Sequence, residues 1–306
     1  MKSTMIPYAP FDVIIIGGSY AGLSAAMSLG RSRRQVLIID SGLPCNRFTP
    51  HSHNFLTQDG KAPAEIAQRA REQVHQYDTV HFVEGTANTV TQVDSFFVVE
   101  TATGEAFTAK KLILANGIKD NLPDIPGLAN AWGKTVIHCP YCHGYEFKDQ
   151  KTGILAHGDR ALHLAGLVHN LSKDLQLFTN GEAEFTAEQR TKLTKAGILV
   201  HEERIISISE KEGIIDGITL DTGVFMPLQA LYAVIPFTQQ GGVADALGCT
   251  LTDAGHIKVD FMQKTSVPGV YACGDNSSPM RSVALAVSTG STAGAMVNME
   301  LVTESF

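Results

Sequence analysis

The sequence predicts an α/β fold in which two three-layer halves share one chain, the second inserted into the first. Three observations carry that prediction. A β-branched run at residues 11–16 leads through Gly17-Gly18-Ser19-Tyr20-Ala21-Gly22 into a helix-like stretch, then into a second apolar strand at 35–40. The same strand–helix–strand order restarts in the middle third, at 153–156, 160–170 and 175–178. Two breaks separate these stretches: 117–127, rich in Pro, Asp and Asn, and 236–242, which opens on Pro236 and closes on Gly241-Gly242.

The remaining elements follow in chain order. Residues 62–77 have the apolar spacing of an amphipathic helix, and 80–84, 96–101 and 111–115 read as strands. Two more strands fall near 204–209 and 214–220. The last third holds a strand at 269–273, the turn Gly274-Asp275 and a long helix of small residues over 282–300. The breaks assign 1–117 plus 244–306 to one domain and 121–240 to the inserted one.

Composition excludes several classes. The 306 residues suffice for about two domains, and 44% hydrophobic residues suffice for a core in each. A net charge of −7 argues against nucleic acid or an anionic membrane as partner. The cluster Arg31, Arg33, Arg34 reads as a solvated helix end. No apolar run reaches membrane-spanning length, and residues 1–10 lack a signal-peptide pattern, so a cytoplasmic location is expected. Five cysteines are too few for a secreted disulfide scaffold.

The first Gly-rich turn is a nucleotide-binding candidate. A strand, a tight turn and a helix N-terminus aim backbone N–H groups and a positive dipole end at a pyrophosphate. Gly17 permits the turn and Gly22 permits close helix–strand packing. Asp40 ends the next strand, where a carboxylate bonds a ribose hydroxyl. Ser19 replaces the middle glycine of the usual pattern, and its hydroxyl can itself donate to phosphate.

The middle third contains Cys139-Pro140-Tyr141-Cys142-His143. Two thiols at this spacing can store two electrons as a disulfide. A helix N-terminus there would favour a thiolate, and Pro140 suits the first helical turn. Three other readings compete. The pattern fits haem attachment, but that chemistry needs export. His138, Cys139, Cys142 and His143 are metal-ligand types, but neighbouring residues rarely converge on one ion, and there is no second CxxC. A purely structural thiol pair is the third. His51 and His53 form an HxH with no acid or cysteine close in sequence; they read as lining an entrance rather than binding metal. No metal site is expected. Cys273 and Cys249 read as structural, and Cys45 as lying near the phosphates with nothing pairing it to the redox site.

Taken together, IIIGGSYAGLSAA at the N-terminus, CPYCHGYE in the middle and GVYACGD near the C-terminus resemble the low-molecular-weight thioredoxin reductase family of FAD-dependent disulfide oxidoreductases. CPYCHGYE, GGSYAGL and LFTNG look closest to the branch that oxidises dithiols of natural products such as gliotoxin and holomycin. The resemblance implies the FAD/NAD(P)-binding fold, two Rossmann-like three-layer domains with the second inserted in the first, and a homodimer. It implies that Gly17, Gly18, Ser19, Tyr20, Ala21 and Gly22 hold the FAD pyrophosphate and that Asp275, after Gly274, bonds the ribityl chain. Arg281, Ser282 and Val283 would present backbone donors to the flavin pyrimidine, and Asn54 would lie near the ring. Cys142 would face the flavin, Cys139 would exchange with substrate, and His143 would carry protons in place of the family's aspartate.

The family's nicotinamide turn is degraded here. It reads Ala156-His157-Gly158-Asp159-Arg160-Ala161, and after the next strand Glu182 and Glu184 stand where arginines would grip a 2′-phosphate. NADPH bound in the family manner is therefore doubtful. NADH, NADPH at a weakened site, a ferredoxin, or substrate dithiols with oxygen as acceptor are the open electron routes, and Arg160 or Arg204 are the candidates for a phosphate contact. The expected activity is FAD-dependent dithiol/disulfide exchange with a small dithiol or a thioredoxin-like protein. The alternatives are a non-catalytic flavin-binding redox sensor and a flavin oxidoreductase on a non-sulfur substrate.

Overall fold

The computed structural model describes residues 10–306. The stretch read as lacking a signal peptide lies, but for Pro10, outside the described residues. Among the described residues no helix is long and apolar enough to cross a membrane.

The strand Phe11–Ile16 is central to the first sheet. Val13 and Ile15 bury against one layer, Ile14 and Ile16 against the other, and all four are 0–5% exposed. Burial on both faces is why the run is continuously apolar rather than alternating. It pairs in parallel with Val36–Asp40, which pairs in parallel with Val80–Glu84. On its other side lies Ala106–Leu114, longer than the strand expected at 111–115. The extra residues have a separate job. Phe107 and Thr108 pair antiparallel with Phe96–Thr101, while Leu112 to Leu114 pair in parallel with Val270–Ala272. Ala87–Val93 completes the sheet and was not predicted, because its residues are mostly polar and exposed.

One side of this sheet is covered by Tyr20–Arg31 and Val283–Ser305. They cross with almost no space between them. A Cβ on Gly290 would strike the Ala21 carbonyl, and one on Gly294 would lie 2.9 Å from Ser28 Cβ. This is the physical reason for the small-residue helix seen in the sequence. It starts at Ser282, whose hydroxyl accepts from the Leu285 N–H at 3.2 Å.

The second sheet is all parallel, in the order Leu199–His201, Leu175–Phe178, Thr152–Leu155, Ala230–Ala233, Val136–Ile137. Ala230–Ala233 escaped sequence reading because four buried residues carry no period. Helix Ala187–Lys195 was also missed; it buries only Leu193, yet Thr186 and Gln189 form a capping box that signals its start. Ile205–Lys211, Ile214–Leu220 and Phe225–Pro227 form a separate antiparallel sheet.

The two breaks are not irregular linkers throughout. Ile118–Asp120 and Phe237–Gln239, one in each break, pair antiparallel as a two-stranded ribbon. Three-residue strands more than a hundred positions apart leave no local pattern, so composition showed only the turns around them. Gln239 further donates to the carbonyls of Gly255 and Asn276 at 2.8 and 2.9 Å, tying the ribbon to the C-terminal segment.

Candidate active site

The Gly-rich turn is shaped by its neighbours. Gly17 sits at φ +103°, and a Cβ there would run into the Ala115 carbonyl; a Cβ on Gly22 would meet the Gly17 carbonyl. Ser19 is the N-cap of helix Tyr20–Arg31 but makes no side-chain cap bond, so its hydroxyl stays free. The Gly18 N–H donates to Asp40 Oδ1 at 3.0 Å, and Arg71 lies 3.7 Å from Oδ2.

Two cavities open from this turn. Both are open to solvent, the larger spanning about 1180 Å³ and the smaller about 500 Å³ with the adjoining solvent included, and both touch Ser19, Ala115, Asn116 and Gln240. Asp40 and Gly18 line the smaller, while Gly274, Asp275, Arg281, Ser282 and Val283 line the larger. The result is one elongated cleft running from Asp40, past the helix N-terminus, to Cys142 and His143.

Arg281 organises the middle of the cleft. Its guanidinium grips Asp120 with both terminal nitrogens, at 2.8 and 3.0 Å, and its Nε lies 3.8 Å from Asp275. Burial pushes the Asp275 carboxyl up, and Arg281 pulls it back. The sequence expectation used only the Arg281 backbone; its side chain proves to be the larger structural element. Cys45 belongs to the same cluster, 2.9 Å from Arg281 Nη2 and 3.6 Å from Asp120. The expectation that nothing links Cys45 to the redox site is thus corrected, since the Arg281 carbonyl lies 3.7 Å from Cys142 Sγ. Burial pushes the Cys45 thiol up to about 11.

Cys139 is the N-cap of the short helix Pro140–His143. Its sulfur accepts from the Cys142 thiol at 2.7 Å. That contact is the main reason the Cys139 thiol falls to about 7; burial opposes it, and the Cys142 and Tyr141 amides add to it. In the pair, the first proton leaves readily, and the second, on Cys142, is held because a thiolate already sits beside it. Cys142 and His143 face the cleft, and Cys139 lies behind Cys142. Burial lowers the His143 pKa against the opposing pull of the His51 carbonyl and Glu146. His138, buried against Trp132 at 6.2 Å between ring centres, is pushed down to about 3 by burial and by Arg281.

The structure brings together in one cleft Gly18, Ser19, Tyr20, Ala21, Asp40, Gly274, Asp275, Arg281, Ser282, Val283, Cys142 and His143. Gly17 joins them in the smaller cavity, and Gly22 stands behind the turn as its packing contact. Asn54 does not line either cavity. It is exposed at φ +59°, and its N–H is tied to Asp59 at 2.8 Å, which turns the residue outward. Asp120 and His138 are among the cleft residues that were missed. Asp120 sat in a stretch read as linker, and His138 was considered only as a metal ligand. The ion-pair partner of Arg281 had no sequence signal; His138 adjoins CPYCH and could have been found.

The cleft suits a flavin dinucleotide. Its length joins the Asp40 carboxylate, the Gly-rich turn at residues 17–21 and the chain segment 281–283. His138 Nε2 and Arg281 Nε are buried polar atoms that the protein leaves without hydrogen-bond partners. Such atoms are costly unless a ligand satisfies them.

Comparison with known proteins decides the family. Residues 11–290 match the pyridine nucleotide-disulphide oxidoreductase profile. The chain belongs to that family. It is 35% identical over 305 residues to thioredoxin reductase tcpT of Claviceps purpurea, covering 96% of this chain and 95% of the relative. An oxidoreductase from Agrobacterium tumefaciens superposes with a TM-score of 0.90 at 42% identity, over 96% of this chain and 99% of that one. HlmI superposes with a TM-score of 0.91 at 34% identity, over 97% of this chain and 94% of that one. As a member of this family the protein is an FAD-dependent, thioredoxin reductase-like disulfide oxidoreductase, and its α/β architecture is the FAD/NAD(P)-binding one.

The second nucleotide turn is built differently from the first. His157 caps helix Gly158–His169 without a side-chain bond, and Gly158 adopts φ +54°. Asp159 is held by Gln189 at 2.7 Å. Asn180 caps the Ile205 N–H at 2.7 Å, and Arg190 is engaged by the Ala183 carbonyl at 3.0 Å and Glu202 at 3.2 Å. Arg204 and Arg160 are exposed.

Proposed function

We propose that this protein oxidises a small dithiol, with Cys139 and Cys142 as the redox pair and with no family-type NADPH site. The observation that carries the reading is the position of Cys142. It lines the flavin cleft, 3.7 Å from the Arg281 carbonyl, while Cys139 stands behind it as the more acidic thiol. In this reading 121–240 is the inserted domain, and the enzyme is a cytoplasmic homodimer.

FAD bound in the cleft supplies the two-electron acceptor. Asp40 would hold its ribose, the 17–22 turn its phosphates, and Asp275 with the backbone of Arg281, Ser282 and Val283 its flavin end. The remaining steps belong to the protein. With the pair oxidised, a substrate thiolate attacks Cys139 Sγ, forming a mixed disulfide and releasing Cys142 as thiolate. The second substrate thiol, deprotonated by His143, attacks the substrate sulfur of that mixed disulfide. The product leaves as a disulfide and Cys139 is released as thiolate. Neutral His143, kept so by burial, is ready to take the proton.

Two features favour a small dithiol over a nicotinamide-driven thioredoxin reductase role. Asp159 lies in the second turn, Glu182 and Glu184 follow the next strand in sequence, and Arg190 is already paired with Glu202. The sequence likeness to the dithiol-oxidising branch points the same way, with oxygen as the terminal acceptor. The test is an anaerobic titration of the purified holoprotein with dithiothreitol, NADH and NADPH, following loss of the visible flavin absorbance. Reduction by dithiothreitol that vanishes in Cys142→Ser supports the reading. Rapid reduction by NADPH refutes the claim about the nicotinamide site, and unchanged turnover in a Cys139→Ser/Cys142→Ser double variant refutes the redox role of the pair.

A further inference from the structure

The HxH of the sequence, read there as lining the flavin or substrate entrance, has His53 beside His143. His53 and His143 are the two residues that line both the flavin cleft and a neighbouring cavity of about 970 Å³, walled also by Thr135, Glu146, Phe147 and Ile215. Their rings stand edge to face with centres 6.3 Å apart. Both ring nitrogens of His143 are buried without a side-chain hydrogen-bond partner, and the nearby backbone carbonyl of His51 cannot carry a proton onward. His53 reaches outward on both sides: Nε2 lies 3.5 Å from Glu146 and Nδ1 lies 3.6 Å from Asp59. The Asp59 side chain is 68% exposed, whereas that of His53 is 21% exposed. A row of titratable groups therefore runs from His143, next to Cys142 in the sequence, through His53 to the surface.

We propose that His53 is the second member of a proton relay that carries the proton from His143 to Asp59 and solvent, with Glu146 as a branch. The proposal rests on the dithiol-oxidising reading above. Oxidation of a dithiol releases two electrons and two protons. FAD takes both electrons and one proton, so one proton leaves in the reductive half-reaction and one returns when oxygen takes the electrons; the proton held by His143, whose ring nitrogens are buried, must cross to and from solvent. His143 can receive that proton but has no bonded neighbour to pass it to. A single water entering from the adjoining cavity spans the gap to His53, which can accept at one nitrogen and release at the other. The groups facing His53 are His51, whose ring centre is 6.4 Å away, His143, Asp59 and Glu146. Lys134 lines the same cavity, but its ammonium donates to the Glu212 carbonyl at 3.0 Å. His53 contacts neither sulfur, so it acts through His143 as a positioning and relay residue.

The test is stopped-flow anaerobic reduction of the holoprotein by dithiothreitol across the neutral pH range, for wild type, His53→Gln, His53→Ala and Asp59→Asn. The expected result is flavin reduction slowed roughly tenfold to a hundredfold in both His53 variants, with the dithiothreitol concentration for half-saturation unchanged. Added imidazole should restore the His53→Ala rate, which a merely structural role would not allow. Asp59→Asn should change the pH profile in the same sense but less. Wild-type rates and an unshifted pH profile in His53→Gln overturn the relay. So does a slow His53→Ala protein that imidazole does not rescue. If dithiothreitol fails to reduce even the wild type, the dithiol-oxidising reading itself falls and the relay falls with it.

Discussion

Replacing Cys142 with alanine tests what holds the charge at the redox pair. In the reduced protein the Cys142 thiol donates to Cys139 at 2.7 Å, and this is the largest effect bringing Cys139 from 9.0 down to about 7. Two pKa units correspond to about 2.7 kcal/mol of thiolate stabilisation. In Cys142→Ala the amides of residues 141 and 142 and the Arg281 charge still favour the thiolate, while burial opposes it. The Cys139 pKa should return to about 9, so its thiolate share at pH 7 falls from about one half to about one in a hundred. Iodoacetamide consumes only the thiolate, so alkylation at pH 7 should slow about fiftyfold, with the midpoint of the rate–pH curve moving up about two units. The other thiols interfere little, because burial raises all of them, Cys45 to about 11 and Cys273 to about 12. The assay is pH-dependent carboxymethylation of the reduced protein, quantified by peptide mass. A midpoint that stays near 7 would refute the reasoning and assign the stabilisation to the backbone amides instead.

Two further outcomes follow from the buried charges. Arg281→Met leaves Asp120 and Asp275 without their cation and should cost about 3–5 kcal/mol in urea unfolding, partly recovered in the Asp120→Asn/Arg281→Met double variant; a loss below about 1 kcal/mol would place the pair among weak surface bridges. Glu300 behaves differently. Burial raises its carboxyl, but Lys111, Lys264 and the Tyr271 hydroxyl outweigh burial and hold it at about 2, below the ordinary 4.5. Its contribution is therefore complete above pH 4.5 and lost as the pH falls to about 2, so Glu300→Gln should show a flatter stability profile across that window, and parallel profiles would contradict the assignment.

Local chemistry explains which features were readable beforehand. The run at 11–16, the glycines at 17 and 22 and the terminal helix starting after Ser282 are each dictated by immediate neighbours: burial on both faces, a positive φ, a cap. The cysteine pair and His143 were legible for the same reason, since i to i+3 spacing on one short helix is a local property. Asn54 was not legible in this way. Its placement depends on a left-handed turn and on Asp59, not on the HNF tripeptide alone.

By itself, the sequence determined the α/β class, the first Gly-rich turn, the closely spaced thiol pair and the absence of an arginine pair after the strand that follows the second turn. Each of these is a statement about residues within a few positions of one another. Tertiary structure alone decided that the two breaks pair as a ribbon, that Asp120 on that ribbon meets Arg281, and that His53 stands 6.3 Å from His143. Those contacts span from 90 to more than 160 positions along the chain. They depend on how two sheets are set against each other, and no local periodicity encodes that packing.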